Sequence, residues 1–364
     1  MGFRCGIVGL PNVGKSTIFN ALTAAAAEVA NYRFCTIDPN VGIVSVPDKR
    51  LEMIGHLIHP KKVIPTTLEF FDIAGLAKGA SKGEGLGNQF LDNIRNVDAI
   101  AHAVRCFENE NVAHDFGSID PVRDIEVVNT ELILSDLQLL ERRMAKAEKL
   151  HRVGSKEATS ELAVYREIQA ALNQGRRIGS LHLTEEQKAI VSDLHLLTAK
   201  PVFYVANVDQ KGLRADGPHL KAIEEWAQRE GSKVVVICGD LEAELSELKE
   251  EEREEFRKEL GLEGSSLDRL IQVGYEILDL VTFYTTVSSE LRAWTVPKGT
   301  PAPKAAGKIH SDMERGFIRA EVISFSEFVA CGSEHLARER GLLRSEGKDH
   351  LIQDGDIVHF RFHV

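Results

Sequence analysis

Eight residues near the start of the chain, Gly9-Leu10-Pro11-Asn12-Val13-Gly14-Lys15-Ser16, fit G-x-x-x-x-G-K-[ST] at every fixed position. That spacing serves a phosphate group. Glycines let the backbone approach an anion closely, successive N–H groups turn toward its oxygens, and the lysine brings a positive charge to the β- and γ-phosphates. Asn12, Val13, Gly14, Lys15, Ser16 and Thr17 are therefore the candidate phosphate contacts, and the Ser16 hydroxyl is also placed for Mg²⁺. Such a loop must leave a strand and open a helix whose dipole favours the anion. Phe3 to Val8 is a suitable apolar run, and Thr17-Ile18-Phe19-Asn20-Ala21-Leu22 continues as an amphipathic helix.

Partner motifs follow at plausible distances. Thr67 to Phe71 reads as a buried strand ending in Asp72-Ile73-Ala74-Gly75, a D-x-x-G arrangement. Its carboxylate is expected to hold Mg²⁺ through water, and the Gly75 N–H to reach a γ-phosphate oxygen. Between the two motifs lies a polar, turn-prone stretch in which Thr36 is placed to contact both Mg²⁺ and the γ-phosphate. Leu76 stands where many hydrolysing switch proteins carry a glutamine that orients water, a task leucine cannot perform. The catalytic positions are thus Lys15, the unusual Leu76, and His114, a histidine in the polar loop Arg105 to His114 that leaves the apolar strand Ala99 to Val104.

Base choice is expected at the tip of a later strand, Pro201 to Ala206, which runs into Asn207-Val208-Asp209-Gln210. A guanine reader ends N-K-x-D, whose carboxylate accepts from the ring N1–H and exocyclic amine. Here the lysine is Val208 and the aspartate is Gln210. A carboxamide carries a donor and an acceptor and can answer adenine's N6 amine and N1 together, so ATP is expected over GTP. Gln210→Asp with Val208→Lys should move the preference toward GTP.

These loops must hang on one parallel sheet, and the remaining pattern supplies it. The strands above, a helix from Pro218 to Glu230 and a strand from Lys233 to Ile237 form a βαβα series that predicts a doubly wound α/β core. From Asp124 the period changes. Ile133, Leu137, Leu140, Met144 and Ala147 recur at alternating spacings of four and three, and Leu162, Tyr165, Ile168 and Leu172 form a second stripe. An antiparallel helical hairpin turning at His151 to Ser155 is predicted, followed by a helix from the capping box Thr184 to Gln187 through Leu197. The expected divisions are 1–123 and 199–280 for the nucleotide-binding domain, 124–198 for the helical insertion, and 281–364 for a small mixed β module with a helix near Ala305 to Arg315.

A net charge of −11 argues against attachment to nucleic acid by bulk charge, and no DNA partner is expected. From Val281 onward eleven Lys+Arg balance eleven Asp+Glu, so the tail is the better candidate for a local polyanion contact. The stretch Asp240 to Glu259, with ten acids against four bases, reads as a solvated helix face. Five scattered cysteines without a C-x-x-C pair read as reduced thiols in a cytoplasmic protein, and no apolar segment approaches a membrane span.

The strings GIVGLPNVGKST, DIAGLAKGASKGEGLGNQFL and RAWTVPKGTPAPKAAGKIHSDMERGFIRAEV together resemble the YchF subfamily of Obg-like P-loop nucleotidases over essentially the whole chain. That resemblance implies an Obg-type nucleotide domain, a coiled-coil insertion and a C-terminal TGS domain of β-grasp fold. It further implies a Mg²⁺-dependent ATPase that binds the large ribosomal subunit and acts in translation or stress response, with rRNA or tRNA met through the coiled coil and TGS domain. Leu76 matches the family's hydrophobic replacement of glutamine, and the FENENVAH loop matches the place of a compensating histidine. Gln210 departs from the family's common N-x-x-E. Asn12 lies where some related nucleotidases ligate K⁺. A GTP-responsive switch and a ribosome- or RNA-binding adaptor with vestigial hydrolysis are the competing readings.

Overall fold

The structure is a computed structural model in which residues 3–29, 40–73, 86–114, 116–214, 217–262, 264–287 and 289–363 are described. In chain order the first elements are β1 (Phe3–Val8), α1 (Lys15–Val29), β2 (Val41–Ser45), α2 (Lys49–Ile58), β3 (Lys62–Ile64), β4 (Thr67–Asp72), α3 (Leu86–Arg95) and β5 (Ala99–Arg105). Next come α4 (Pro121–Arg152), α5 (Lys156–Asn173), α6 (Glu185–Ser192), β6 (Val202–Asn207), α7 (Pro218–Glu230), β7 (Val234–Ile237), α8 (Gly239–Ser246), α9 (Glu250–Glu259) and α10 (Ser266–Ile277). The last are β8 (Leu280–Val287), β9 (Glu290–Pro297), α11 (Ala302–Ile309), α12 (Ser311–Arg315), β10 (Phe317–Ser324), α13 (Phe325–Cys331), α14 (Glu334–Glu339), β11 (Arg344–Glu346) and β12 (Asp356–Phe362).

The chain forms two compact units. One is Met1–Val44 with Glu69–Gly274, the other Ser45–Leu68 with Tyr275–Val364. The first is built on a sheet of order β2-β4-β1-β5-β6-β7, in which β1, β5, β6 and β7 pair in parallel. Every residue of β5 and β6 is buried, as the unbroken apolar runs require of strands covered on both faces. The phosphate motif leaves the carboxyl end of β1 and the base motif that of β6, the edge where open α/β sheets take ligands, and Asp72 closes β4. β5 continues one residue beyond the expected strand: Arg105 pairs with Asn207 and is buried rather than opening the polar loop.

The helical hairpin is present. Ile133, Leu140 and Ala147 of α4 pack with Leu162, Tyr165, Ile168 and Leu172 of α5, with Leu137 and Met144 partly buried beside them. Ser155 caps α5 by accepting from the Ala158 N–H at 3.2 Å, and Val153 stands at the turn 81% exposed. The Thr184–Gln187 capping box makes both its bonds, but α6 stops at Ser192 instead of reaching Leu197. Two things end it. His195 takes a left-handed φ of 50°, and the buried Asp136 of α4 accepts from the Leu197 and Thr198 N–H groups at 2.9 and 2.8 Å, drawing that stretch into a 3₁₀ turn.

The second unit has strand order β11-β10-β12-β8-β9-β3. Alternation along its strands sorts two cores. Phe283, Val296, Val358 and Phe360 meet the Ala302, Ala305 and Ala306 face of α11, while Tyr284, Leu291, Ile323 and Ile357 meet Leu51 and Ile54 of α2 and Phe328 of α13. The helix expected near Ala305 to Arg315 is two, broken at His310, whose extended φ of −158° lets its ring accept from the Asp312 N–H. The boundaries drawn from sequence also change, because Ser45–Leu68 groups with the C-terminal unit and not with 1–123. β3 pairs in parallel with β9, Asp48 caps α2 and accepts from the Tyr284 hydroxyl, and Arg50 pairs with Asp354 at 2.7 Å. Those partners lie more than two hundred residues away, beyond the reach of local periodicity.

Candidate nucleotide-binding site

The phosphate loop is shaped by contacts only glycine permits. Gly14 has φ 92°, and a Cβ there would sit 2.2 Å from Asn207 Nδ2; at Gly9 it would meet the Ala103 carbonyl oxygen at 2.4 Å. Asn207 Nδ2 donates to the Val13 carbonyl at 2.9 Å, and its Oδ1 accepts from the Gly239 N–H at 3.0 Å. The residue expected to read the base therefore also ties the phosphate loop to the start of α8. The Lys15 ammonium, buried, donates to the Leu10 carbonyl at 2.7 Å, and the Ile18 N–H to Gly14 at 3.0 Å begins α1. Val13 is buried, Thr17 half-buried, and Asn12 and Ser16 exposed.

Two of the three metal candidates, Ser16 and Asp72, are brought together. Ser16 Oγ donates to Asp72 Oδ2 at 2.7 Å. Asp72 Oδ1 is buried and has no hydrogen-bond partner among the described residues. A hydroxyl beside a carboxylate with an unsatisfied oxygen is an all-oxygen donor set of the kind a small hard cation takes, so these residues fit Mg²⁺. Thr36, Gly75 and Leu76 lie outside the described residues.

On the base side, Val208 is 4% exposed and lies against Gly212, while Asp209 Oδ1 accepts from the Gly212 N–H at 2.8 Å and closes the turn. A lysine at 208 would have to bury its ammonium, so that half of the expected exchange is costly. Gln210 is exposed and lines a cavity of about 190 Å³ with Leu213, Arg214, Leu241, Leu260 and Leu262.

His114 is half-buried, and both ring nitrogens are engaged. The Phe116 N–H donates to Nδ1 at 3.2 Å, which leaves Nε2 as the protonated nitrogen, donating to Asp124 Oδ2 at 3.0 Å. Asp124 Oδ1 accepts from Arg123. The loop reaches the phosphate loop one residue earlier, where Asn12 Nδ2 donates to the Ala113 carbonyl at 3.3 Å. Beside it the Cys106 thiol is pushed up to about 12 by burial and by Asp124, so it stays protonated and is no nucleophile. A larger cavity of about 460 Å³, lined by Asp98, Ile178, His195 and Pro201, lies toward the amino ends of β5 and β6 and contains none of these residues.

Known proteins share this architecture. A family model described as a 50S ribosome-binding GTPase matches residues 4–136, and a model of the YchF GTPase C-terminal region, described as a protein of unknown function, matches 280–363. The chain is 52% identical to the ribosome-binding ATPase YchF of Escherichia coli O157:H7 and 50% identical to that of Bacillus subtilis strain 168, each across 100% of both chains. It superposes on the Schizosaccharomyces pombe YchF GTPase with a TM-score of 0.89 at 36% identity, covering 99% of this chain and 98% of that one. Identity at this level, over full length and across both units, means that the chain belongs to the YchF family.

Proposed function

We propose that this chain is a Mg²⁺-dependent ATP hydrolase whose nucleotide state gates association with the large ribosomal subunit. The observation that carries the reading is the Ser16–Asp72 pair, with an unsatisfied carboxylate oxygen, set directly after Lys15. On binding a triphosphate, Lys15 exchanges the Leu10 carbonyl for phosphate oxygens, and the N–H groups from Asn12 to Thr17 complete the cradle. Ser16, Asp72 and Thr36 would hold Mg²⁺, which when bound neutralises charge developing on the β- and γ-oxygens. Gly75 meets the γ-phosphate, and Asn207, Val208 and Gln210 form the adenine side. Asn12, its amide N–H₂ committed to Ala113, offers its oxygen to K⁺.

With leucine at 76, His114 is the group left to orient the attacking water. It must first release Phe116 or Asp124, so turnover without a partner is slow. The partner reading is supported by the names of the relatives and by the 50S description of the matching model. The helical insertion and the C-terminal module, which we read as a TGS domain, are the surfaces assigned to rRNA or tRNA, in the cytoplasm. A GTP switch is the second reading, favoured by the GTPase name of the Schizosaccharomyces pombe relative. Steady-state turnover of ATP and GTP by the purified chain, with and without 50S subunits, tests both. Faster ATP turnover on subunits is expected; no ATP turnover in either condition overturns the ATPase, and GTP turnover exceeding ATP turnover promotes the switch.

A further inference from the structure

The loop that carries His114 is wrapped around one buried side chain. Arg105, the last residue of β5 and 2% exposed, donates from Nε to the Phe107 carbonyl at 3.1 Å, from Nη2 to Asn109 at 3.2 Å, and from Nη1 to Val112 and Ala113 at 3.1 and 3.4 Å. Its guanidinium lies 4.7 Å from the centre of the Phe107 ring. Four carbonyls within seven residues of chain thus converge on a single planar cation, a task that suits the five fixed donors of arginine and not the point charge of lysine. The post itself is anchored, since Arg105 pairs with Asn207 and the next N–H, of Cys106, donates to the Asn207 carbonyl at 2.8 Å. The Ala113 carbonyl is shared: it takes Arg105 from beneath and Asn12 of the phosphate loop from beside, and His114 is the following residue.

We propose that Arg105 is a positioning residue for hydrolysis, holding the Phe107–Ala113 loop in the one path that delivers His114 beside the phosphate loop. The proposal rests on the reading of His114 as the water-orienting group. Arg105 is buried with its donors turned to the loop carbonyls, so it acts through His114. It sets where the loop ends, so its loss misplaces His114 while leaving the phosphate and base contacts in place.

The test uses the full chain and four proteins: parent, H114A, R105K, and the double variant. Turnover and KM for ATP are measured together with affinity for a non-hydrolysable ATP analogue and the thermal midpoint. R105K is expected to lower kcat by about tenfold to a hundredfold, the cost of a small misplacement of a reacting group, with KM and analogue affinity within about twofold of the parent. In the H114A background the same substitution should leave kcat nearly unchanged, because the two residues act as one unit. If H114A turns over at the parent rate, the histidine reading fails and this inference falls with it. If H114A is slow but R105K matches the parent, or its loss is equal in both backgrounds, or analogue affinity falls in step with kcat, Arg105 is structural and the inference alone is overturned. Should R105K lose its cooperative transition, Phe107→Leu removes the stacked ring, leaves the buried cation in place, and is judged by the same criteria with a smaller effect.

Discussion

Lys15 is buried with its ammonium on the Leu10 carbonyl, and the next residue, Ser16, donates to Asp72. That Ser16 and Asp72 meet was legible from two short motifs, because a phosphate and a hard cation allow few side chains and few separations. Lys15→Ala should weaken ATP binding by about a hundredfold, the loss of a charge-assisted bond to phosphate, as read by titration of a fluorescent analogue. Asp72→Ala should leave nucleotide affinity without Mg²⁺ nearly untouched and remove the Mg²⁺-dependent increment; an increment equal to the parent's would refute the metal role. The base side was legible only in part. Asn207 was named for its place in N-x-x-Q, but its bonds to Val13 and Gly239 belong to residues remote in sequence. Burial of Val208 shifts the selectivity test to one position. Gln210→Asp alone, on an exposed side chain, should reduce the preference for ATP over GTP by roughly 1–3 kcal/mol, the value of one bidentate base contact. Competition binding with the two nucleotides measures this, and an unchanged ratio removes Gln210 from the base site.

Among the elements, the long amphipathic helices were the most legible, because a periodic stripe sustained over α4 and α5 has one way to bury itself. The ends of elements were less so. α6 ends where Asp136 claims two N–H groups from sixty residues away, and β5 gains Arg105 because pairing with Asn207 outweighs the residue's polarity. β5 also buries His102, whose ring lies 5.6 Å from that of Tyr204. Burial first, and then the nearby Arg177 and Lys15 charges, push this histidine down from 6.5 to about 3. As pH falls below 6.5 the unfolded chain takes up this proton while the folded chain does not. The contribution is therefore complete above 6.5 and is lost progressively as the pH drops toward about 3. The slope is at most about 1.4 kcal/mol per pH unit. Urea midpoints at several values between neutral and mildly acid pH should fall less steeply in His102→Phe than in the parent; equal slopes would show that other groups carry the acid sensitivity.

At the scale of the whole molecule, three divisions were drawn from the sequence, whereas the chain forms two compact units, with residues 124–198 inside the first and Ser45–Leu68 inside the second. The chain leaves the nucleotide unit after β2, builds α2 and β3 on the second sheet, and returns as β4 to present Asp72. A chain stopped before β8 should therefore fail as a free nucleotide domain, since Leu51 and Ile54 lose Tyr284 and Leu291 and present apolar surface to water. Size-exclusion chromatography and ATP titration of that fragment measure this, and a soluble monomer with the parent's affinity would refute it. At the level of the gene, a breakpoint at codon 280 does not exchange one cassette for another. It separates an edge strand and a helix from the sheet they complete, so recombination there leaves both products unfinished, and the C-terminal module can be inherited only together with the stretch that joins the phosphate loop to Asp72.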